Sequence, residues 1–164
     1  MSDTWVVNAS PLITLAKIGR LDLLRAGERE VIVPEAVARE ITAGPTGDQA
    51  STALAAGSLG KPALATNRAD VLEWGLGAGE TAVLSLALDR GAVAVIDDRE
   101  ARTAARVLGC RCLGTLAVVL GARREGRIPS AAAVIADLRR AGLRLDDAVV
   151  RAALQQFVRE AWQP

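Results

Sequence analysis

Short apolar runs alternate along this chain with stretches whose apolar residues recur at helical spacing. Residues 5–7 read as a β-branched strand that ends at Asn8. Ser10 and Pro11 then open a helix, since serine is a good N-cap and proline is tolerated in the first helical turn. Leu12, Leu15 and Ala16 give that helix an apolar stripe, and Gly19 can end it. A short helix over 21–25, a strand over 31–33 and a helix over 35–41 follow. Residues 44–67 are rich in Gly, Ala, Ser and Thr; a helix near 49–56 is plausible, and the stretch reads as a mobile or variable segment. Beyond it the pattern sharpens. A helix opens at Gly77-Ala78-Gly79-Glu80, runs to Asp89 and ends at Gly91. A continuous apolar strand over 92–96 closes at Asp97-Asp98, followed by a helix over 99–108, a strand over 111–113 and a helix from Thr115. Amphipathic helices over 130–141 and 146–162 complete the order. Strands alternating with helices imply a parallel sheet with helices on both faces, and an apolar strand such as 92–96 fits a sheet covered on both sides. With no internal repeat or dividing linker, residues 1–164 are expected to form one α/β domain.

Composition narrows the function. Apolar residues make up 51% of the chain, yet no apolar run approaches the roughly 20 residues that span a bilayer. The start Met1-Ser2-Asp3 lacks the basic-then-apolar plan of a signal peptide. A cytoplasmic protein without a membrane segment is expected, with surplus apolar surface available to a partner chain. The net charge of +1 means that any nucleic-acid site is local. There is no His, which removes histidine triads, proton shuttles and imidazole ligands. With no Tyr and one Phe, base stacking on aromatics is not the mode of recognition. A metal site must use oxygen ligands, which suit magnesium or manganese. Cys110-Arg111-Cys112 lacks zinc half-site spacing and reads as two small core residues.

In open parallel sheets, ligands bind outside the carboxyl ends of the strands. That rule selects Asn8 after the first strand, Asp97 and Asp98 after the strand over 92–96, Glu80 at the start of the helix leading into it, and Glu40 late in the helix after the second strand. Such an acidic edge is a candidate oxygen-ligand metal site. Each residue also has a structural explanation. Asp98 can N-cap the next helix, Glu80 can favour a positive helix end, Glu40 can be solvated beside Arg39, and Asn8 can be a turn residue. Ser10 has no base beside it to make a nucleophile; it reads as an N-cap that can also orient a ligand. The run Gly75-Leu76-Gly77-Ala78-Gly79 does not match a nucleotide-binding loop. Arg99, Arg102 and Arg106 share one helix face, where they can hold phosphates or simply be solvated.

Taken in order, these blocks resemble the PIN-domain family. Asn8-Ala-Ser10-Pro11-Leu12-Ile13 resembles the D/N-T-S-P-L-I opening of a PIN-like subgroup with toxin relatives. Val33-Pro34-Glu35-Ala36-Val37 through Glu40-Ile41, Gly77-Ala78-Gly79-Glu80-Thr81-Ala82, Ile96-Asp97-Asp98-Arg99 through Arg102, and Gly114-Thr115 resemble the later blocks. The resemblance implies a PIN-like, Rossmann-like three-layer α/β/α fold around a mainly parallel sheet. It implies a four-carboxylate site that holds magnesium or manganese and cleaves RNA by metal-assisted hydrolysis. Glu40 then matches the second acid, Glu80 the third and Asp98 the fourth, with Asp97 a close competitor. Asn8 matches the first, where the subgroup carries either Asp or Asn. The resemblance also implies a toxin of a toxin–antitoxin pair, a small antitoxin protein as partner, and a homodimer.

An amide at position 8 offers a neutral oxygen and a competing NH₂ donor. Losing one unit charge about 4 Å from a cation forfeits on the order of 4 kcal/mol per unit of metal charge at intermediate dielectric. Two further readings therefore stand beside the ribonuclease. One is a non-catalytic PIN-like module that binds RNA or a protein; the other is a phosphotransfer or phosphatase domain built on strand-end aspartates.

Overall fold

Val6 and Val7 lose all solvent contact in the strand Thr4–Val7 (β1), which runs through the middle of the sheet. In the computed structural model, which describes residues 3–45 and 48–164, β1 lies between Glu30–Ile32 (β2) and Val93–Val95 (β3), and Cys112–Leu113 (β4) pairs with β3. Every pairing is parallel, with Val6 opposite Ile32 on one side and Ala94 on the other. Trp5–Val7 of β1 and all of β3 are apolar and buried, as expected where helices cover both faces. Met1, Ser2, Thr46 and Gly47, which belong to the signal-peptide reading and to the stretch 44–67, lie outside the described residues.

Nine helices flank the sheet among the described residues: Ala9–Lys17 (α1), Glu35–Thr42 (α2), Gln49–Ala55 (α3), Ala69–Leu72 (α4), Ala78–Arg90 (α5), Arg99–Val107 (α6), Thr115–Arg124 (α7), Ala131–Arg140 (α8) and Asp147–Phe157 (α9). A 3₁₀ turn covers Leu21–Leu24. The result is the expected three-layer α/β architecture. α5 contacts both inner strands as well as α2, α4 and α6, so residues 81–87 are all buried and its faces differ little in polarity. α6 is the opposite case: Ala101, Ala104 and Ala105 face the core while Arg99, Arg102 and Arg106 are exposed. Gly91 ends α5 at φ 62, where a left-handed residue satisfies the last carbonyls and glycine carries no Cβ penalty.

The structure departs from the sequence reading in four places. Helix α1 begins at Ala9, so Asn8 holds the N-cap position and Ser10 is an exposed residue inside the first turn rather than the cap. The last helix stops at Phe157, not near 162; Arg159 adopts φ 56 and turns the chain back. Glu160 then caps α8 by accepting from Ala131 N–H at 3.0 Å, Ala132 N–H at 3.2 Å and Ser130 Oγ at 2.8 Å. Trp162 is buried and donates to Asp147 Oδ1 at 2.9 Å. Cys110 and Arg111 precede β4 rather than forming it. Finally, α4 has no counterpart in the sequence reading; before it, α3 falls where a helix is expected, Ala50 and Leu59 are in the core, and Ala63 bridges to Pro34 in the parallel sense. No helix among the described residues is long and apolar enough to cross a membrane.

Candidate active site

The strand order β2-β1-β3-β4 makes the gap between the ends of β1 and β3 the point where the chain changes direction of travel across the sheet. A crevice at that switch point is the standing ligand site of open α/β sheets. Asn8 follows β1 and Asp97-Asp98 follow β3. The Asn8 backbone N–H donates to Val95 O at 3.0 Å, which fixes the two strand ends side by side.

Asn8 is 3% exposed. Its side chain does not cap α1. Instead Nδ2 donates to Glu80 Oε1 at 3.1 Å, while Oδ1 is buried and has no partner among the described residues. Most buried side-chain polar atoms are satisfied, so an orphaned amide oxygen at this crevice calls for an explanation, a bound water or ion among them. Glu80 sits in the first turn of α5, as the sequence suggested. One residue before it, Gly79 supplies the space: a Cβ there would lie 2.7 Å from Glu40 Oε2 and 3.1 Å from Asn8 Oδ1. The missing side chain lets the α2 carboxylate and the β1-end amide converge on one point. Gly77 does the same for Glu80, whose Oε2 would meet its Cβ at 2.5 Å.

Glu40 does not pair with its neighbour Arg39, whose guanidinium stands 4.0 Å from Glu35 instead. Much of the Glu40 residue surface is exposed, but its carboxylate end packs against Gly79. Desolvation pushes that carboxyl above the usual range, and the charge of Glu80 adds to the shift.

The two aspartates divide their work. Asp97 accepts from Thr115 N–H through Oδ1 and from Thr115 Oγ through Oδ2, both at 2.7 Å. It therefore holds the first turn of α7. Asp98 occupies the N-cap position of α6 without capping it, and among the described residues its side chain has neither hydrogen bond nor ion pair. The competition left open by the sequence thus has a structural difference behind it: Asp97 is engaged and Asp98 is free.

Asn8, Ser10, Glu80, Asp97 and Asp98 line a cavity of about 400 Å³, and Glu40 shares a neighbouring one of about 380 Å³ with Gly79 and Glu80. The first cavity is also lined by Arg144, from the loop between α8 and α9. Sequence reasoning missed it. The loop has no periodicity, and only its position over the sheet edge makes the residue interesting. Arg99 and Arg102 project from the exposed face of α6; Arg102 passes beside Asp97, while Arg99 lines none of these cavities. A larger cleft of about 620 Å³ lies on the outer side of α2, lined by Ala38, Thr42, Ala43 and Pro62. It contains none of the strand-end residues.

Among the described residues, no three His, Cys, Asp or Glu side chains stand close enough to hold a metal ion. The oxygen set around Gly79 reaches three side chains only when the neutral Asn8 oxygen is counted with Glu40 and Glu80. Its donors are all oxygen, its buried oxygen is unpartnered, and its two carboxylates repel each other. That chemistry fits a hard divalent cation.

An all-parallel α/β sheet with oxygen donors gathered at its switch point defines a class of strand-end site. The family follows from comparison with protein-family models: residues 4–159 match the PIN domain, and the chain belongs to the PIN-domain family. That places it in a nuclease family whose members generally use divalent metal. No curated protein matches the chain.

Proposed function

We propose that this chain is a magnesium- or manganese-dependent endoribonuclease, with Asn8, Glu40 and Glu80 as the oxygen set around Gly79 and Asp98, which lines the adjoining cavity, drawn in as the fourth ligand only when a cation binds. The observation that carries the reading is the buried, unpartnered Oδ1 of Asn8, set against Glu40 and Glu80 around the side-chain-free Gly79. A bound divalent ion would supply Lewis-acid charge and a more acidic water. The protein's own groups do the rest. Glu40 and Glu80 place negative charge at the floor of the site. Asp97, fixed by Thr115, keeps the strand end and the start of α6 in register, so that Asp98 stands at the cavity with an unengaged carboxylate. That carboxylate is the group available to accept a proton from the attacking water, since the chain has no His. Arg144 opposes the acids and offsets the charge of an entering phosphodiester. Ser10, exposed at the rim, can donate to a phosphate oxygen.

The toxin role, a small antitoxin partner, homodimerisation and a cytoplasmic location belong to the same proposal.

A mixed RNA pool incubated with the purified protein and manganese tests the reading. Cleavage that disappears in EDTA and in Glu80→Gln is expected; cleavage unaffected by both would overturn it. One observation favours a second reading, a PIN module that binds RNA or protein without cutting. The Asn8 amide already occupies one Glu80 oxygen, which weakens the site for a cation. No cleavage by the parent, with strong cleavage by Asn8→Asp, would select it.

A further inference from the structure

Behind Asp97, on the α6 side of the sheet edge, lies a separate cavity of about 200 Å³ lined by Arg102, Arg106, Cys110 and Cys112. Its two guanidiniums sit one helical turn apart on the exposed face of α6. Like charges at this spacing destabilise a helix unless an anion intervenes. Among the described residues, neither arginine forms an ion pair with a carboxylate; what sets them apart from the other unpaired arginines is that the two share one cavity. No acidic residue lines the cavity; the nearby carboxylate of Asp97 lies beyond Gly114 and is engaged by Thr115.

The cavity is linked to the candidate active site through Gly114. A Cβ at that position would lie 3.1 Å from Arg102 Nη1 and 3.2 Å from Asp97 Oδ1. A bare backbone at 114 thus lets the Arg102 guanidinium pass between the cavity and the strand-end acids. The volume suits a small tetrahedral group with some of its water, given that liquid water takes about 30 Å³ per molecule. Planar guanidinium forks match phosphate oxygens in geometry and charge.

We propose that this pocket binds a phosphate group of the nucleic-acid chain, flanking the phosphodiester held at the strand-end acids. The proposal rests on the nuclease reading above for the source of its phosphate. It assigns Arg102 and Arg106 to holding the neighbouring backbone, with Arg102 spanning both places. The two thiols form the opposite wall. Burial pushes both up from the ordinary thiol range, so they enter the pocket as neutral groups that do not repel a phosphate.

Cys112 is partly exposed and Cys110 buried, which supplies a readout independent of cleavage. Alkylation of Cys112 by iodoacetamide at alkaline pH, located by peptide mass spectrometry, is followed in EDTA so that RNA stays intact; an added cysteine-containing peptide serves as the reference, since Cys110 lines the same cavity. Separate samples contain no ligand, a single-stranded RNA oligonucleotide, or inorganic phosphate, and RNA binding is followed in parallel by fluorescence anisotropy. RNA is expected to slow Cys112 alkylation several-fold, more than inorganic phosphate at equal phosphate concentration. Arg106→Gln should abolish the protection and Arg106→Lys keep part of it, with melting temperatures unchanged. RNA that binds while Cys112 reacts at its free rate would overturn the proposal and leave the nuclease reading standing. Protection that survives intact in Arg106→Gln would also overturn it. Protection by inorganic phosphate from a protein that binds no RNA would overturn the nucleic-acid source and the nuclease reading with it.

Discussion

Asn8 Nδ2 donates to Glu80 Oε1 across 3.1 Å, joining the end of β1 to the first turn of α5. The contact replaces what would be a carboxylate–carboxylate repulsion with a hydrogen bond. Asn8→Asp should therefore melt below the parent in EDTA, by an amount on the order of 1–4 kcal/mol if both groups remain charged. Manganese should reverse the order, because a ligand that binds only the folded state stabilises it in proportion to its affinity. Thermal unfolding with and without manganese checks this; equal gains for both proteins would contradict it.

Asp97 and Asp98 are adjacent and should behave as opposites. Asp97→Ala removes both acceptors of the buried Thr115, and hydrogen bonds to a charged group are each worth about 1.5–3 kcal/mol. A loss of that order, read by urea unfolding, is expected. Asp98→Ala removes an exposed side chain without partners among the described residues; stability should change little while metal-dependent cleavage falls.

Gly79→Ala separates fold from site. Within a helix this change is favourable by about 1 kcal/mol on propensity alone, and the new methyl meets the flexible end of Glu40 at 2.7 Å before it meets anything rigid. The variant should melt at or above the parent's temperature but bind manganese weakly, because Glu40 has been displaced. Loss of folding would show that the Glu40–Asn8 approach is not the soft contact described here.

Glu160 sets an acid limit. Burial raises its carboxyl, but the Ala131 and Ala132 N–H groups, the Ser130 hydroxyl and Arg123 outweigh burial and hold it below the ordinary value of 4.5. A depressed folded-state pKa contributes stability that is complete above the unfolded value and is lost as pH falls through the folded one. The parent should lose melting temperature below about pH 4.5 more steeply than Glu160→Gln, which lacks the titration. Parallel curves would contradict the assignment.

Much of this architecture was legible because it rests on short-range rules. The apolar run over 92–96, the Gly91 stop and the proline entry to α2 each declare themselves locally. The strand-end rule alone places Asn8, Glu80, Asp97 and Asp98 at one edge. Other features were not legible, because they depend on packing. Ser10 satisfies the N-cap preference as a residue type, but the chain enters α1 two residues earlier, where Asn8 bonds to Val95. The return of Glu160 onto α8 needs one residue at φ 56, and Arg159 carries no sequence sign of it. Arg144 lines the same cavity as the acids only through the packing of the loop between α8 and α9, which has no periodicity to announce it. The division of labour between Asp97 and Asp98 is a matter of which carboxylate meets Thr115.

The claim that most needs testing is that an amide-containing oxygen set holds a divalent ion. Calorimetric titration of the parent and of Glu80→Gln with manganese addresses it directly. Saturable binding by the parent, lost or weakened at least about tenfold (1.4 kcal/mol) in the variant, is the predicted result. Indistinguishable titrations, or no binding by the parent, would contradict the account and leave Asn8 and Glu80 as a hydrogen-bonded pair with a structural role alone.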